Sequence, residues 1–148
     1  MTDVTITTDD FDAGREIDAL RLTGVGAIAT FTGIVRDTAR APDLIALTLE
    51  HFPGMTEQEI QTIIHQARTR WPLHGVRVIH RVGRLLPQDN IVFVGTASAH
   101  RQAAFDSAAF IMDYLKTKAP FWKKEETTSG AAWVEAREED NQALAKWR

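Results

Sequence analysis

The hydrophobic pattern of this chain changes period several times, and that change restricts the fold more than any other feature of the sequence. Val76, Val78, His80 and Val82 occupy every second position of one stretch, an alternation that is typical of a β-strand with one buried face. Between residues 98 and 118 they recur at helical spacing, and Pro120 prevents that helix from continuing. Strand and helix patterns follow one another in mixed order. The sequence therefore predicts an α+β fold with antiparallel strands.

The remaining elements follow from the same two periodicities. Strands are predicted over residues 3–7, 25–35, 44–52, 76–82, 91–97, 121–128 and 131–137, helices over 11–22, 56–71 and 98–118, and a helical or loosely ordered tail over 138–148. The strand over 25–35 is apolar on both faces, so we expect it to be buried, with a bulge or close approach at Gly33. We expect this strand to pair with the strand over 44–52. Thr56 and Glu59 have the spacing of a capping box at a helix start.

The composition is that of one globular domain, residues 1–148, with 44% hydrophobic and 25% charged residues. Its formal charge of −3 argues against nucleic-acid binding, which needs a basic face. The absence of cysteine excludes disulfides and thiolate chemistry, and His51, His65, His74 and His80 lack metal-ligand spacing. Nucleotide-binding glycine motifs are missing. Without a signal peptide or a membrane-spanning apolar run, we expect a cytoplasmic protein with no metal, cofactor or membrane partner.

A basic segment, residues 116–124, follows the long helix and carries four lysines and no acid. Because the protein is acidic overall, this concentration of positive charge predicts a local anion site. Lys116 and Lys123 stand on either side of Pro120, and a turn there would bring both ammonium groups to one pocket. Two such groups can neutralise a phosphate, a carboxylate or a developing oxyanion, and one can carry a proton. The alternative is a solvated basic helix end, where cations favour the helix dipole.

Three further basic residues are candidates for the same anion site. His100 and Arg101 lie at the predicted start of the long helix, where the helix dipole repels cations unless an anion lies between them. Arg36 opens a polar loop directly after a strand, a common position for a substrate-binding guanidinium. Each of the three could instead be a surface residue. Trp122, beside Lys123, could stack on a planar heterocycle, although large aromatic side chains more often fill cores or interfaces.

Six segments of the chain together carry a resemblance to a known family. They are Thr30-Phe-Thr-Gly-Ile-Val-Arg36, Leu47-Thr-Leu-Glu-His-Phe-Pro-Gly-Met55, Val78-Ile-His-Arg-Val-Gly83, Ile91-Val-Phe-Val-Gly95, Ser98-Ala-His-Arg101 and Phe110-Ile-Met-Asp-Tyr-Leu-Lys-Thr-Lys-Ala-Pro-Phe-Trp-Lys-Lys-Glu125. From about residue 25 to residue 137 the chain resembles the large, catalytic subunit of molybdopterin synthase.

The resemblance implies a sulfurtransferase that converts cyclic pyranopterin monophosphate to molybdopterin by installing two dithiolene sulfurs. It implies that the sulfur arrives as a thiocarboxylate on the C-terminal glycine of a small ubiquitin-like partner subunit. It also implies an α+β fold with an α/β-hammerhead-like part, and a homodimer of large subunits at the centre of a heterotetramer. Its essential lysines correspond to Lys116 and Lys123, and its anion-binding residues to Arg36, His100, Arg101 and Arg137.

Two other functions stay open on the sequence alone. A non-catalytic subunit that only captures an acidic partner tail would carry the same basic segment. A nucleotide- or RNA-binding domain would use Trp122 and the lysines, although the acidic balance of the chain counts against it.

Overall fold

The computed structural model of the chain describes residues 3–36, 42–134 and 138–147. Residues 37–41 of the predicted polar loop, and the candidate Arg137, lie outside these ranges. No helix within them is both long and apolar enough to span a membrane.

The described residues form eight strands and four helices in mixed order, which confirms the predicted α+β class. The strands are β1 Val4–Thr7, β2 Ala27–Ile34, β3 Leu44–His51, β4 Leu73–Arg81, β5 Gly83–Leu85, β6 Asn90–Ser98, β7 Phe121–Thr127 and β8 Gly130–Val134. The helices are α1 Ala13–Ala19, α2 Met55–Arg70, α3 Arg101–Thr117 and α4 Glu138–Ala145.

The strands form two four-stranded sheets. The first has the order β1-β4-β6-β2, in which only the β1–β4 pair is parallel, and the second has the antiparallel order β5-β3-β7-β8. The predicted pairing of 25–35 with 44–52 is therefore wrong, because β2 pairs with β6 whereas β3 pairs with β5 and β7. The physical reason lies in β6, whose residues from Val92 to Ser98 are all buried. Such a strand requires a neighbour on both sides, and β4 and β2 supply them.

The expectation that the strand over 25–35 is buried is also wrong. Strand β2 lies at the edge of the first sheet, and its Phe31 and Ile34 side chains are 42% and 50% exposed. The irregularity at Gly33 is confirmed, since the pairing register shifts between Gly33 and Ile34. A Cβ atom at position 33 would lie 2.7 Å from a methyl carbon of Val92, so the close approach of β2 to β6 requires glycine there.

Helix α2 begins earlier than the predicted capping box. Gly54 is the N-cap residue, and its N–H donates to the Glu57 carboxylate at 3.0 Å, so Thr56 and Glu59 do not form the box. Thr56 is instead fully buried. Its hydroxyl accepts from the Phe52 N–H at 2.9 Å and donates to the Pro120 carbonyl at 3.1 Å. Thr56 therefore joins the start of α2 to the turn that follows α3.

The main core lies where α2 and α3 pack against the first sheet. Its members include Ile60, Ile64, Val78, Val94, Phe110 and Ile111. The C-terminal tail joins this core, because Trp147 packs edge-to-face on Trp71 and Phe110 at ring distances of 5.7 and 5.4 Å. A second, smaller core beneath the second sheet contains Val35, Leu47, Leu49 and Leu85.

Candidate functional site

A cavity of about 440 Å³ lies between the two sheets and the C-terminal end of α3. The described residues that line it include three cations, Arg36, Lys116 and Lys123, and no carboxylate. Most of the remaining wall is apolar and is built from Phe31, Ile34, Leu47, Leu49, Ile91, Val92, Met112, Leu115 and Phe121. Low-dielectric walls strengthen the field of cations that they surround, so the cavity suits an anion with an apolar or planar part.

The two lysines reach this cavity from consecutive elements. Lys116 lies in the last turn of α3, which ends where the Lys118 N–H donates to the Tyr114 carbonyl at 2.7 Å. The chain passes through Pro120 and enters β7, where Lys123 pairs with Leu49 of β3. The predicted turn at the proline therefore brings both ammonium-bearing side chains to the wall of one cavity.

Arg36 is positioned by the residue before it. The Val35 N–H donates to the Asp89 carbonyl at 2.9 Å, and the Val35 carbonyl accepts from the Gln88 N–H at 2.8 Å. The Val35 side chain is 1% exposed and belongs to the second core. These contacts hold the end of β2 against the turn before β6, so Arg36 lies at the cavity even though its own side chain is exposed.

His100 and Arg101 lie at the other end of α3. His100 is the N-cap residue without a side-chain capping bond, and both side chains are exposed. A rise of 1.5 Å per residue puts Arg101 roughly 22 Å from Lys116 along the helix axis. One copy of the chain therefore does not bring these two residues to the cavity that Lys116 lines.

Trp122 is directed away from the cavity. Successive side chains of a strand point to opposite faces, so Trp122 and Lys124 lie on the other face of β7 from Lys123. Trp122 is 47% exposed, and the Lys124 ammonium lies 5.6 Å from the ring centre of Trp133. The hypothesis that Trp122 stacks on a heterocycle in the lysine pocket gains no support from this arrangement.

His80 is a cavity residue that the sequence reasoning missed. Its ring stacks on Phe121, with 3.8 Å between ring centres and 16° between planes, and Nδ1 lies 2.8 Å from the Arg81 carbonyl oxygen. The His80 pKa is lowered to about 4, chiefly by burial and also by the charges of Lys123 and Lys116, although the contact with the Arg81 carbonyl opposes this shift. The available signal was its place in the alternating pattern of β4, on the same face as buried Val76 and Val78.

Within the described part of the chain, no three histidine, aspartate or glutamate side chains lie close enough together to hold a metal ion. The charged groups at the cavity are instead guanidinium and ammonium groups, which donate hydrogen bonds and carry fixed positive charge. Such groups can bind an anionic substrate and stabilise negative charge that develops during reaction.

Comparison with known proteins gives consistent matches along the chain. Residues 6–118 match the family model described as MoaE protein. The chain is 59% identical over 122 residues to the molybdopterin synthase catalytic subunit of Escherichia coli strain K12, covering 82% of this chain and 81% of that one. It is 50% identical to the catalytic subunit of Vibrio cholerae over 97% of both chains. A solved structure of the molybdopterin biosynthesis MoaE protein from Burkholderia ambifaria superposes with a TM-score of 0.85 at 52% identity, covering 99% of this chain and 98% of that one.

Proposed function

The chain belongs to the MoaE protein family, and on that premise we propose that it acts as the catalytic subunit of a molybdopterin synthase. In this reaction cyclic pyranopterin monophosphate becomes molybdopterin by gaining two dithiolene sulfurs. One observation carries the proposal: three cations and no carboxylate among the described lining residues of a largely apolar cavity, in a protein of net charge −3. A planar ring system with a cyclic phosphate requires both properties.

The sulfur source in this proposal is the C-terminal thiocarboxylate of a small ubiquitin-like subunit. The relatives are named as catalytic subunits, which indicates an enzyme of more than one subunit. Phe31 and Ile34 give the cavity an exposed apolar border on the edge strand β2, a surface on which an extended peptide terminus can pack. A partner tail that carries a negative charge would then enter a positively charged cavity.

We assign different tasks to the cations of the site. Arg36 binds the phosphate, because a guanidinium presents paired donors to phosphate oxygens. Lys116 and Lys123 orient the thiocarboxylate, stabilise its tetrahedral adducts and move protons. The positions of the three cations support these assignments, because Arg36, Lys116 and Lys123 all line the same cavity. Lys118 and Lys124, from the same basic segment, are not among the described residues that line it.

His100 and Arg101 belong to this site only if a second copy of the chain supplies them. The α3 helix separates them from Lys116 by roughly 22 Å. Because homodimers commonly use two-fold symmetry, the helix start of one copy can lie over the cavity of the other. We therefore propose a homodimer with shared sites, at the centre of a heterotetramer with two small subunits in the cytoplasm. Arg137 is proposed to bind the same anion.

The lysine assignment is tested by dithiolene formation from cyclic pyranopterin monophosphate and thiocarboxylated small subunit. Lys116→Ala and Lys123→Ala should each lower kcat by about 10²–10³-fold, the usual loss when one group that stabilises developing charge is removed. Arginine at either position should restore only part of the rate if a lysine must give up a proton. Full turnover with arginine at both positions would show that charge alone suffices.

The matched controls are Lys118→Ala and Lys124→Ala, which remove the same charge from the same segment outside the cavity. Lys118 caps α3 through its backbone, and Lys124 contacts Trp133, so both variants should retain near wild-type turnover. If all four variants lost activity equally, the effect would come from net charge rather than from the cavity. Tight association of the three components without dithiolene product would instead favour the non-catalytic binding subunit.

A further inference from the structure

The His80 ring is held in one orientation and in one tautomer. Phe121 covers one face of the ring at 3.8 Å. The Arg81 carbonyl oxygen, 2.8 Å from Nδ1, can only accept a hydrogen bond, so Nδ1 carries the proton and donates it. In a neutral imidazole the other ring nitrogen, Nε2, then keeps its lone pair and acts as an acceptor.

The surroundings of His80 keep that lone pair unprotonated. Burial of the ring is the main cause that disfavours a positive charge on it, and it outweighs the contact with the Arg81 carbonyl, which favours that charge. Lys123 of β7, Lys116 of α3 and His51 of β3 act in the same direction as burial, and Arg36 lines the same cavity. His80 is therefore a neutral side chain among cations at any pH near neutrality.

The cavity thus combines two kinds of recognition group. Arg36, Lys116 and Lys123 can only donate hydrogen bonds, and they suit phosphate and thiocarboxylate oxygens. His80 offers a strong acceptor that suits an N–H or O–H group. A ligand that fits both is an anion that also carries a donor on its ring system.

We propose that His80 is a substrate-binding residue whose Nε2 accepts a hydrogen bond from an N–H or O–H group of the pterin. This inference rests on the proposed function and adds a residue that binds the ring system of the substrate rather than its phosphate. A site that holds a substrate donor with an acceptor that the bound ligand shields from water discriminates against analogues without that donor, because the acceptor is then left unpaired. His80 therefore contributes specificity as well as affinity.

The test compares His80→Leu, which lacks the acceptor, with His80→Gln, which can present an amide oxygen. Both keep Phe121 and all three cations. Calorimetric titration of the full-length chain should show cyclic pyranopterin monophosphate binding about tenfold or more weakly to His80→Leu, and within about threefold of wild type to His80→Gln. Affinity for inorganic phosphate should be unchanged in both variants. In turnover assays the KM of His80→Leu should rise while kcat is retained, as expected for uniform binding.

Two results would overturn this role and leave the proposed function intact. One is equal substrate affinity in His80→Leu and wild type, and the other is an equal loss for substrate and phosphate, which would indicate a structural role. The ratio of the wild-type and His80→Leu affinities should stay constant between about pH 6 and 8, because His80 is neutral throughout. A ratio that grows towards acid pH would mean that the imidazolium binds substrate, contrary to the proposal. Failure of the wild-type enzyme to form dithiolene would remove both proposals.

Discussion

The imidazole of His80 has a consequence for stability that is separate from its contact with substrate. Its pKa is about 4 in the folded chain against an ordinary value of 6.5. Between these two values the unfolded chain binds more protons than the folded chain, so the free energy of unfolding rises with pH in this window. The contribution of neutral His80 to the free energy of unfolding is fully present above pH 6.5 and is lost as the pH falls towards 4.

We therefore expect wild type to lose stability between pH 7.5 and pH 5.0, by about 2 kcal/mol from His80 alone, given its pKa values. His80→Gln has no titrating ring, so its free energy of unfolding should fall by about 2 kcal/mol less than that of the wild type over the same pH range. Urea unfolding of both proteins at the two pH values measures the difference. An identical pH dependence in the two proteins would mean that His80 titrates normally in the folded state.

At the level of elements, the joint between α2 and the turn at Pro120 determines where the lysines stand. The buried Thr56 hydroxyl connects the Phe52 N–H at the start of α2 with the Pro120 carbonyl, midway between Lys116 and Lys123. Pro120 has no N–H of its own, so the turn depends on bonds made by its neighbours and by its carbonyl. The relative position of Lys116 and Lys123 therefore depends on a contact with α2, a helix that has no residue among the described lining of the cavity.

Thr56→Val keeps the shape of the side chain and removes the hydroxyl. It leaves a part-buried N–H and a part-buried carbonyl without this partner, which should cost about 1–3 kcal/mol of unfolding free energy. It should also lower kcat/KM, because the turn that sets the spacing of the lysines loses its anchor. Thr62→Val is the matched control on the same helix, since the exposed Thr62 hydroxyl only donates to the Gln58 carbonyl of its own helix. Equal effects of the two substitutions would contradict a role for the joint.

At the scale of the whole molecule, the two ends of α3 serve one reaction only if sites are shared between copies. A mixture of two inactive variants tests this directly. Lys116→Ala and Arg101→Ala should each be nearly inactive alone. In a mixed dimer with shared sites, one of the two sites combines the unchanged Lys116 of one copy with the unchanged Arg101 of the other. Half of randomly formed dimers are mixed, so co-expression should restore about a quarter of wild-type activity.

The alternative arrangement makes a different prediction for the same mixture. If Arg101 acted on the cavity of its own chain, both sites of every mixed dimer would carry one substitution and no activity would return. A mixture of Lys116→Ala with Lys123→Ala is the control, because both residues line the cavity of one chain in the structure. That mixture should stay inactive whichever arrangement holds. The prediction that residues 1–148 form a single domain is independent of these results.

Local periodicity was enough to predict most elements and the class of the fold. Helix α3, its end before Pro120 and the irregularity at Gly33 all follow from patterns within about 20 residues of sequence. The concentration of lysines in 116–124 likewise predicted a local anion site, because charge excess and a proline turn are both visible in the sequence. The sequence by itself therefore determined most of the elements and the positive charge of the segment that supplies two cations to the cavity.

Only the tertiary structure decided which strands became neighbours and which side chains met. Strand β2 pairs with β6 rather than β3, and Thr56 reaches Pro120 across 64 positions, because burial is satisfied over the whole molecule and not within a segment. The same applies to His80, whose alternating pattern marked it as inward but could not reveal that Phe121 and two lysines lie around it. Contacts between distant residues depend on how complete layers pack, and no local pattern encodes that packing.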